Sequence, residues 1–145
     1  MEGNKIVAVS GYFNPLHVGH IEMFRVSKLL GDYLVVIVNN DYQVKLKGTI
    51  PFMNEFDRLK IVSSIRYVDE VFLSIDMDKT VCKSLKTIKP DIFAKGGDRK
   101  ICDRSIPEMS ICEELGIIVI DNVCPQLRQS SEILKKVREY GFNNS

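Results

Sequence analysis

Along the chain, short unbroken apolar runs alternate with longer stretches in which apolar residues recur at helical spacing. The short runs are 5–10 (KIVAVS), 33–38 (YLVVIV), 71–74 (VFLS), 91–95 (DIFAK) and 117–120 (IIVI). Runs of this kind, rich in Val and Ile, suit parallel strands covered on both faces. Between them the period lengthens. Ile21, Met23, Phe24, Val26, Leu29 and Leu30 mark a helix over 18–30 that Gly31 stops. Leu59, Ile61, Val62 and Ile65 mark another that Asn54 opens and that runs through Ile65, with Asp57 placed as in a capping box. Shorter helices are expected over 80–87 and 106–115, the latter stopped by Gly116. A last helix is expected from Ser130 or Ser131 to about Tyr140, with 141–145 frayed.

Strands alternating with helices over the whole length predict one α/β domain spanning 1–145, a Rossmann-like, doubly wound five-stranded parallel sheet with helices on both faces. Ligands of such sheets bind beyond the C-terminal strand ends, where the strand order reverses. The places to search are therefore the segments after Ser10, Asn39, Ser74, Lys95 and Ile120.

Composition narrows the partners. The 145 residues are 45% hydrophobic and 27% charged, enough for a core and unlike a disordered chain. With 20 Lys and Arg against 19 Asp and Glu, the net charge of +1 provides no general attraction to nucleic acid or to a membrane surface, so basic residues must act locally. No stretch approaches the ~18 apolar residues of a membrane span, and the residues ahead of the first strand lack the apolar segment of a signal peptide. A cytoplasmic, unanchored protein is expected. Cys82, Cys102, Cys112 and Cys124 form no C-x-x-C pair and have no histidine at ligand spacing, so reduced thiols without zinc are expected.

The candidate chemistry concentrates after the first strand, in Gly11-Tyr12-Phe13-Asn14-Pro15-Leu16-His17-Val18-Gly19-His20. Both histidines of the chain lie there, three residues apart at a strand-to-helix junction. Residues i and i+3 share a helix face, and Gly19 between them lets a ligand approach the backbone. A helix start also offers free N–H groups and positive dipole to an anion, so the arrangement suits a polyphosphate. Two histidines without a nearby Cys or suitable carboxylate make a poor metal site, and no metal ligand is expected among the side chains. Lys95-Gly96-Gly97-Asp98 follows the fourth strand. Its glycines admit a flat base, and Asp98 can accept from an exocyclic amine or a ribose hydroxyl. Gln129, Ser130 and Ser131 lie at the start of the last helix, where hydroxyls and N–H groups suit the outer phosphates.

His17-Val18-Gly19-His20, preceded by Gly11-Tyr12-Phe13-Asn14, resembles the signature of the HxGH nucleotidylyltransferases, a cytidylyltransferase-like superfamily. Segments 30–36 (LGDYLVV) and 65–71 (IRYVDEV) are similar to stretches of glycerol-3-phosphate cytidylyltransferase. Val38-Asn39-Asn40-Asp41, Lys47-Gly48, Lys95-Gly96-Gly97-Asp98 and Ser130-Ser131 with Ile133 are similar to the nucleotidyltransferase domain of ADP-heptose synthase. The resemblance implies transfer of AMP or CMP from ATP or CTP, with Mg2+, to a phosphorylated sugar or polyol such as a heptose phosphate or glycerol 3-phosphate, releasing pyrophosphate. It also implies a homodimer, with 65–71 as a contact. Phe13-Asn14-Pro15 is similar to nicotinamide mononucleotide adenylyltransferase, and adenylylation of FMN or NMN is the alternative chemistry. A nucleotide-binding sensor without turnover is the alternative outside enzymes. Segment 124–132 (CPQLRQSSE) lacks the arginine-threonine pair and the glycine of the cytidylyltransferases, which favours adenine over cytosine.

By the same resemblance His17 and His20 donate hydrogen bonds to phosphate oxygens. Lys47, on a flexible loop with Gly48 after the second strand, folds over the phosphates, and Lys45 is a second candidate. Gly11, Tyr12, Phe13, Asn14, Gly19 and Lys95 belong to the nucleotide site, Arg58 and Arg66 bind the acceptor or its phosphate, and Asp41 faces the acceptor or a second subunit. A phosphate nucleophile is already anionic near neutral pH. No Ser, Cys or Asp nucleophile is needed, and the task left to the protein is positioning and charge neutralisation.

Overall fold

The computed structural model describes residues 4–95 and 107–120. In chain order it runs β1 (Ile6–Gly11), α1 (Val18–Lys28), β2 (Tyr33–Val38), α2 (Asp41–Leu46), α3 (Glu55–Ser63), β3 (Glu70–Leu73), α4 (Cys82–Ile88), β4 (Ile92–Ala94), α5 (Pro107–Leu115) and β5 (Ile118–Ile120). The five strands form one parallel sheet in the order β3-β2-β1-β4-β5. The chain winds outward from β1 to β3, then crosses back to add β4 and β5 on the other side. That reversal opens a crevice beyond the C-terminal ends of β1 and β4.

Alternation along the strands divides the core. Val7 and Val9 of β1, Leu34, Val36 and Val38 of β2, and Ile92 and Ala94 of β4 pack on one face with Phe24 of α1 and Val62 of α3. Ala8, Ile37 and Phe93 point the other way and pack with Leu85 of α4 and Cys112 of α5. Residues two apart share a face of a strand, so a fully apolar strand serves both layers at once. The helices on both faces expected from the sequence are present. Among the described residues no helix is long and apolar enough to cross a membrane.

Element ends shift by a residue or two from expectation, and α3 stops at Ser63 rather than Ile65. Three differences have physical causes. Gly31 is not a left-handed stop. A Cβ there would lie 2.7 Å from a Val7 methyl and 2.8 Å from the Lys5 carbonyl oxygen, so its smallness lets the α1–β2 turn pass against β1. Gly116, by contrast, has φ +72° and does end α5 in the left-handed region. Asn54 caps α3 through the Asp57 N–H at 2.8 Å, but the reciprocal capping boxes occur at α1 and at the unforeseen α2. Lys47 is therefore not on a flexible loop: it is the C-cap of α2 and donates its N–H to the Gln43 carbonyl at 3.1 Å. The helix expected from residue 130 and the frayed end at 141–145 lie outside the described residues.

Candidate active site

The β1–α1 turn is held by its own side chains. His17 is the N-cap of α1, and its Nδ1 accepts the Gly19 N–H at 3.1 Å. His20 Nδ1 accepts the His17 N–H at 3.1 Å, which closes a capping box made of two imidazoles. The rings stack with centroids 3.8 Å apart. Free N–H groups were expected at this helix start, yet those of His17 and Gly19 are taken by the histidines. An Nδ1 that accepts a backbone N–H carries no proton, so the neutral ring bears its proton on Nε2 as a donor. Burial holds His20 down to about 3, and it is neutral at physiological pH.

Phe13 sets the height of these rings. It is buried with φ +51°, and its ring meets His20 edge-on at 4.9 Å and Phe24 at 5.4 Å. A Cβ on Gly11 would lie 2.7 Å from the Phe13 ring, so Gly11 makes room for the wedge. Asn14 faces away from the nucleotide role expected of it: Nδ2 donates to the Ile50 carbonyl at 3.0 Å and Oδ1 accepts the Phe52 N–H at 2.6 Å. It clasps the segment after Lys47 to the β1–α1 turn.

Arg58 and Asp41 also differ from expectation. Arg58 is fully buried and donates to the carbonyls of Met53 (3.1 Å), Tyr12 (2.8 Å) and Asn39 (2.6 Å) and to Asp41 Oδ1 (2.7 Å). With its guanidinium so enclosed, Arg58 ties β1, the end of β2 and the start of α3 together beneath the site. Arg66 lies apart, 5.3 Å over the Tyr67 ring.

The opposite wall comes from the β3–α4 connection. Asp76, only 1% exposed, accepts from the Lys83 N–H (2.7 Å), the Ser84 N–H (3.0 Å) and Ser84 Oγ (2.7 Å), so a protein carboxylate already occupies the start of α4. Asn40 donates to the carbonyls of Ser74 and Asp76, both at 2.9 Å, and Gln43 to those of Asp78 and Thr80, both at 2.8 Å. The capping pair of α2 thus also pins the whole connection.

These pieces surround a cavity of about 280 Å³ at the crevice. Of the expected residues, Gly11, Tyr12, Phe13, His20, Lys47 and Lys95 line it, with Lys47 Nζ 4.4 Å above the Tyr12 ring. His17 stacks on the His20 ring, and Gly19 lies in the turn between them. Lys79, Val81 and Glu108 also line it and were not singled out from sequence, nor were Ser10, Met23, Asn39 and Ala94. The sequence marked only the whole segment after Ser74, in which Lys79 lies, and no local signal marks Glu108. Gly96, Gly97, Asp98, Gln129, Ser130 and Ser131 lie outside the described residues. Three lysines and one carboxylate among the described lining residues favour a ligand rich in anionic oxygens.

Imidazoles at a helix start and lysines from the end of α2, the β3–α4 connection and the end of β4 around a sheet crevice suit the handling of phosphate chains. The chain belongs to the cytidylyltransferase-like family, whose model matches residues 8–135, and it is a nucleotidyltransferase. It is 36% identical over 137 residues to a protein named FAD synthase from Thermoplasma volcanium, covering 92% of this chain and 94% of that protein. It is 38% identical over 118 residues to the bifunctional protein HldE of Nitratiruptor sp., covering 80% of this chain but 25% of that protein. A crystal structure described as a lipopolysaccharide core biosynthesis protein from Thermoplasma volcanium superposes with TM-score 0.68 at 36% identity, covering 82% of this chain and 94% of that one.

Proposed function

We propose that this nucleotidyltransferase moves AMP from ATP to FMN, yielding FAD and pyrophosphate. The observation that carries this reading is the near end-to-end match to proteins named FAD synthase, 94% of the Thermoplasma volcanium protein and 97% of the Pyrococcus abyssi one. The matches to HldE span only about a quarter of that protein's length. FMN therefore replaces the heptose phosphate or glycerol 3-phosphate expected from the sequence as the favoured acceptor.

In the reaction a phosphate oxygen of FMN attacks the α-phosphorus of ATP, the bond from that phosphorus to the bridging oxygen breaks, and pyrophosphate leaves with the electron pair. No proton need be removed from the nucleophile, so the chain's residues act by placement and by stabilising charge. The neutral imidazoles His17 and His20 donate Nε2–H groups to the α-phosphate and leaving-group oxygens, and Lys47, stiffened as a helix cap, neutralises the phosphates from above. Magnesium, when bound, shields the triphosphate charge.

The test is pyrophosphate release with ATP or CTP against FMN, NMN, glycerol 3-phosphate and heptose 1-phosphate, with the flavin product identified by chromatography. ATP with FMN should be the fastest pair. Turnover confined to the sugar or polyol phosphates would overturn the reading.

A further inference from the structure

We propose that Lys79 is the cation that grips the phosphate of the acceptor, and that the buried Gln43 is the residue that positions it. The inference rests on the reading of the cavity as the place where a triphosphate meets a phosphate monoester. Lys79 lines that cavity and makes no hydrogen bond or ion pair among the described residues. Its backbone is nonetheless tightly placed. Gln43, with no exposed surface, donates from Nε2 to the carbonyls on either side of Lys79, those of Asp78 and Thr80, both at 2.8 Å. The Gln43 Oε1 is held in turn by the Asn40 N–H at 3.0 Å. Lys79 is exposed at the cavity, and a fixed base suits a ligand-binding lysine there because less freedom is lost on binding.

Two observations assign Lys79 to the acceptor rather than to the triphosphate. First, Val81, two residues on from Lys79, packs with the α4–α5 layer while Phe13, against His20, packs with the α1–α3 layer, so the segments that carry Lys79 and His20 come to the cavity from opposite faces of the sheet. Attack and departure at the α-phosphorus are in line, so the attacking phosphate needs its cation on the side away from the leaving group. Second, the start of α4 is filled by Asp76. That wall offers no array of N–H groups for a polyphosphate. A single ammonium there matches a monoester dianion. Gln43 lies on the helix whose C-cap is Lys47, so one six-residue helix sets the spacing of two lysines, one for each substrate.

The experiment measures calorimetric Kd values of the full chain for FMN, riboflavin, glycerol 3-phosphate, heptose 1-phosphate and a non-hydrolysable ATP analogue, together with KM and kcat. Lys79→Ala should weaken FMN about 10- to 100-fold, the size of a charge-assisted hydrogen bond. The preference for FMN over riboflavin should vanish, the ATP analogue should stay within about 2-fold, and Lys79→Arg should restore most of the loss. Gln43→Glu, which cannot donate to the two carbonyls, should raise KM for FMN more than it lowers kcat, and should add little on top of Lys79→Ala. Unchanged FMN binding in Lys79→Ala, or an equal loss for the ATP analogue, overturns the inference. Should wild type bind a sugar or polyol phosphate but not FMN, and lose it in Lys79→Ala, the FMN reading fails and the role of Lys79 stands. Binding of none of these monoesters by wild type overturns both.

Discussion

Helices α1 and α4 both begin at the C-terminal edge of the same sheet, yet their starts are built in opposite ways. At α1 the capping groups are two uncharged imidazoles and there is no acidic residue in the first turn. At α4 a buried carboxylate, Asp76, reaches in from the preceding loop and accepts two N–H groups of the first turn. Both devices satisfy backbone donors, which must find partners when buried. They differ in what they leave for a ligand. Among the described residues no acidic side chain stands in the first turn of α1, while the positive end of α4 is already neutralised by Asp76. On the proposed reading, the polyanion goes to the start of α1 because Asp76 already fills the start of α4.

Breaking the α1 side should have the largest effect. His20→Ala, or His17→Ala, should lower pyrophosphate release at least about 100-fold, the typical loss for one preorganised donor to a transition-state oxygen. Each should also cost about 1 kcal/mol of stability through the lost cap. Near-normal turnover in a folded variant would remove the imidazoles from the chemistry. Asp76→Ala should act on stability instead, by about 2 kcal/mol, since it strands the Lys83 and Ser84 N–H groups. A denaturant titration checks this, and ATP-analogue affinity should change little. A loss of that affinity larger than the loss of stability would mean that α4 also serves the triphosphate.

Titration sharpens the contrast more gently. His20 is held down to about 3 in the folded protein and is ordinary in the unfolded chain, so the unfolded chain binds more protons between about 3 and 6.5. The stability it contributes is whole above about 6.5 and falls as pH drops through that window, by at most about 1.4 kcal/mol per pH unit. A Tm–pH series of wild type against His20→Gln should show the shallower slope in the variant, and identical slopes would contradict a buried neutral ring. The smallest effect belongs to α3, whose start lies outside the comparison. Asn54→Ala removes an ordinary cap and should cost about 1 kcal/mol with kcat unchanged.

How much of this was legible depends on how local each signal is. The strands were readable because each coincides with a short apolar run, and the histidine turn because its residues are contiguous. Helix α2 was not read: six residues are too few to display a period, although Asn40 and Gln43 already stand at capping-box spacing. Arg58 was read as a phosphate ligand because an arginine's letter does not reveal whether it is buried. Only when Met53, Tyr12, Asn39 and Asp41 converge does it become a tie beneath the site. Asn14 likewise sits within the motif but acts on Ile50 and Phe52, which reach it across a long stretch of chain. Lys79 and Glu108 meet His20 only through the crossover of the sheet.

The alternation of apolar period along the chain was enough to determine a parallel α/β sheet, its crevice at the strand ends, and the presence of two histidines and a lysine beside it. Strand and helix periodicity are properties of neighbouring residues, and a short turn brings its own residues together whatever the rest of the chain does. The protonation of His20, the enclosure of Arg58, the backbone anchoring of Lys79 and the filling of the α4 start by Asp76 were decided only by tertiary structure. Each depends on desolvation and on hydrogen-bond partners supplied by distant segments, and those energies exist only once the segments are packed.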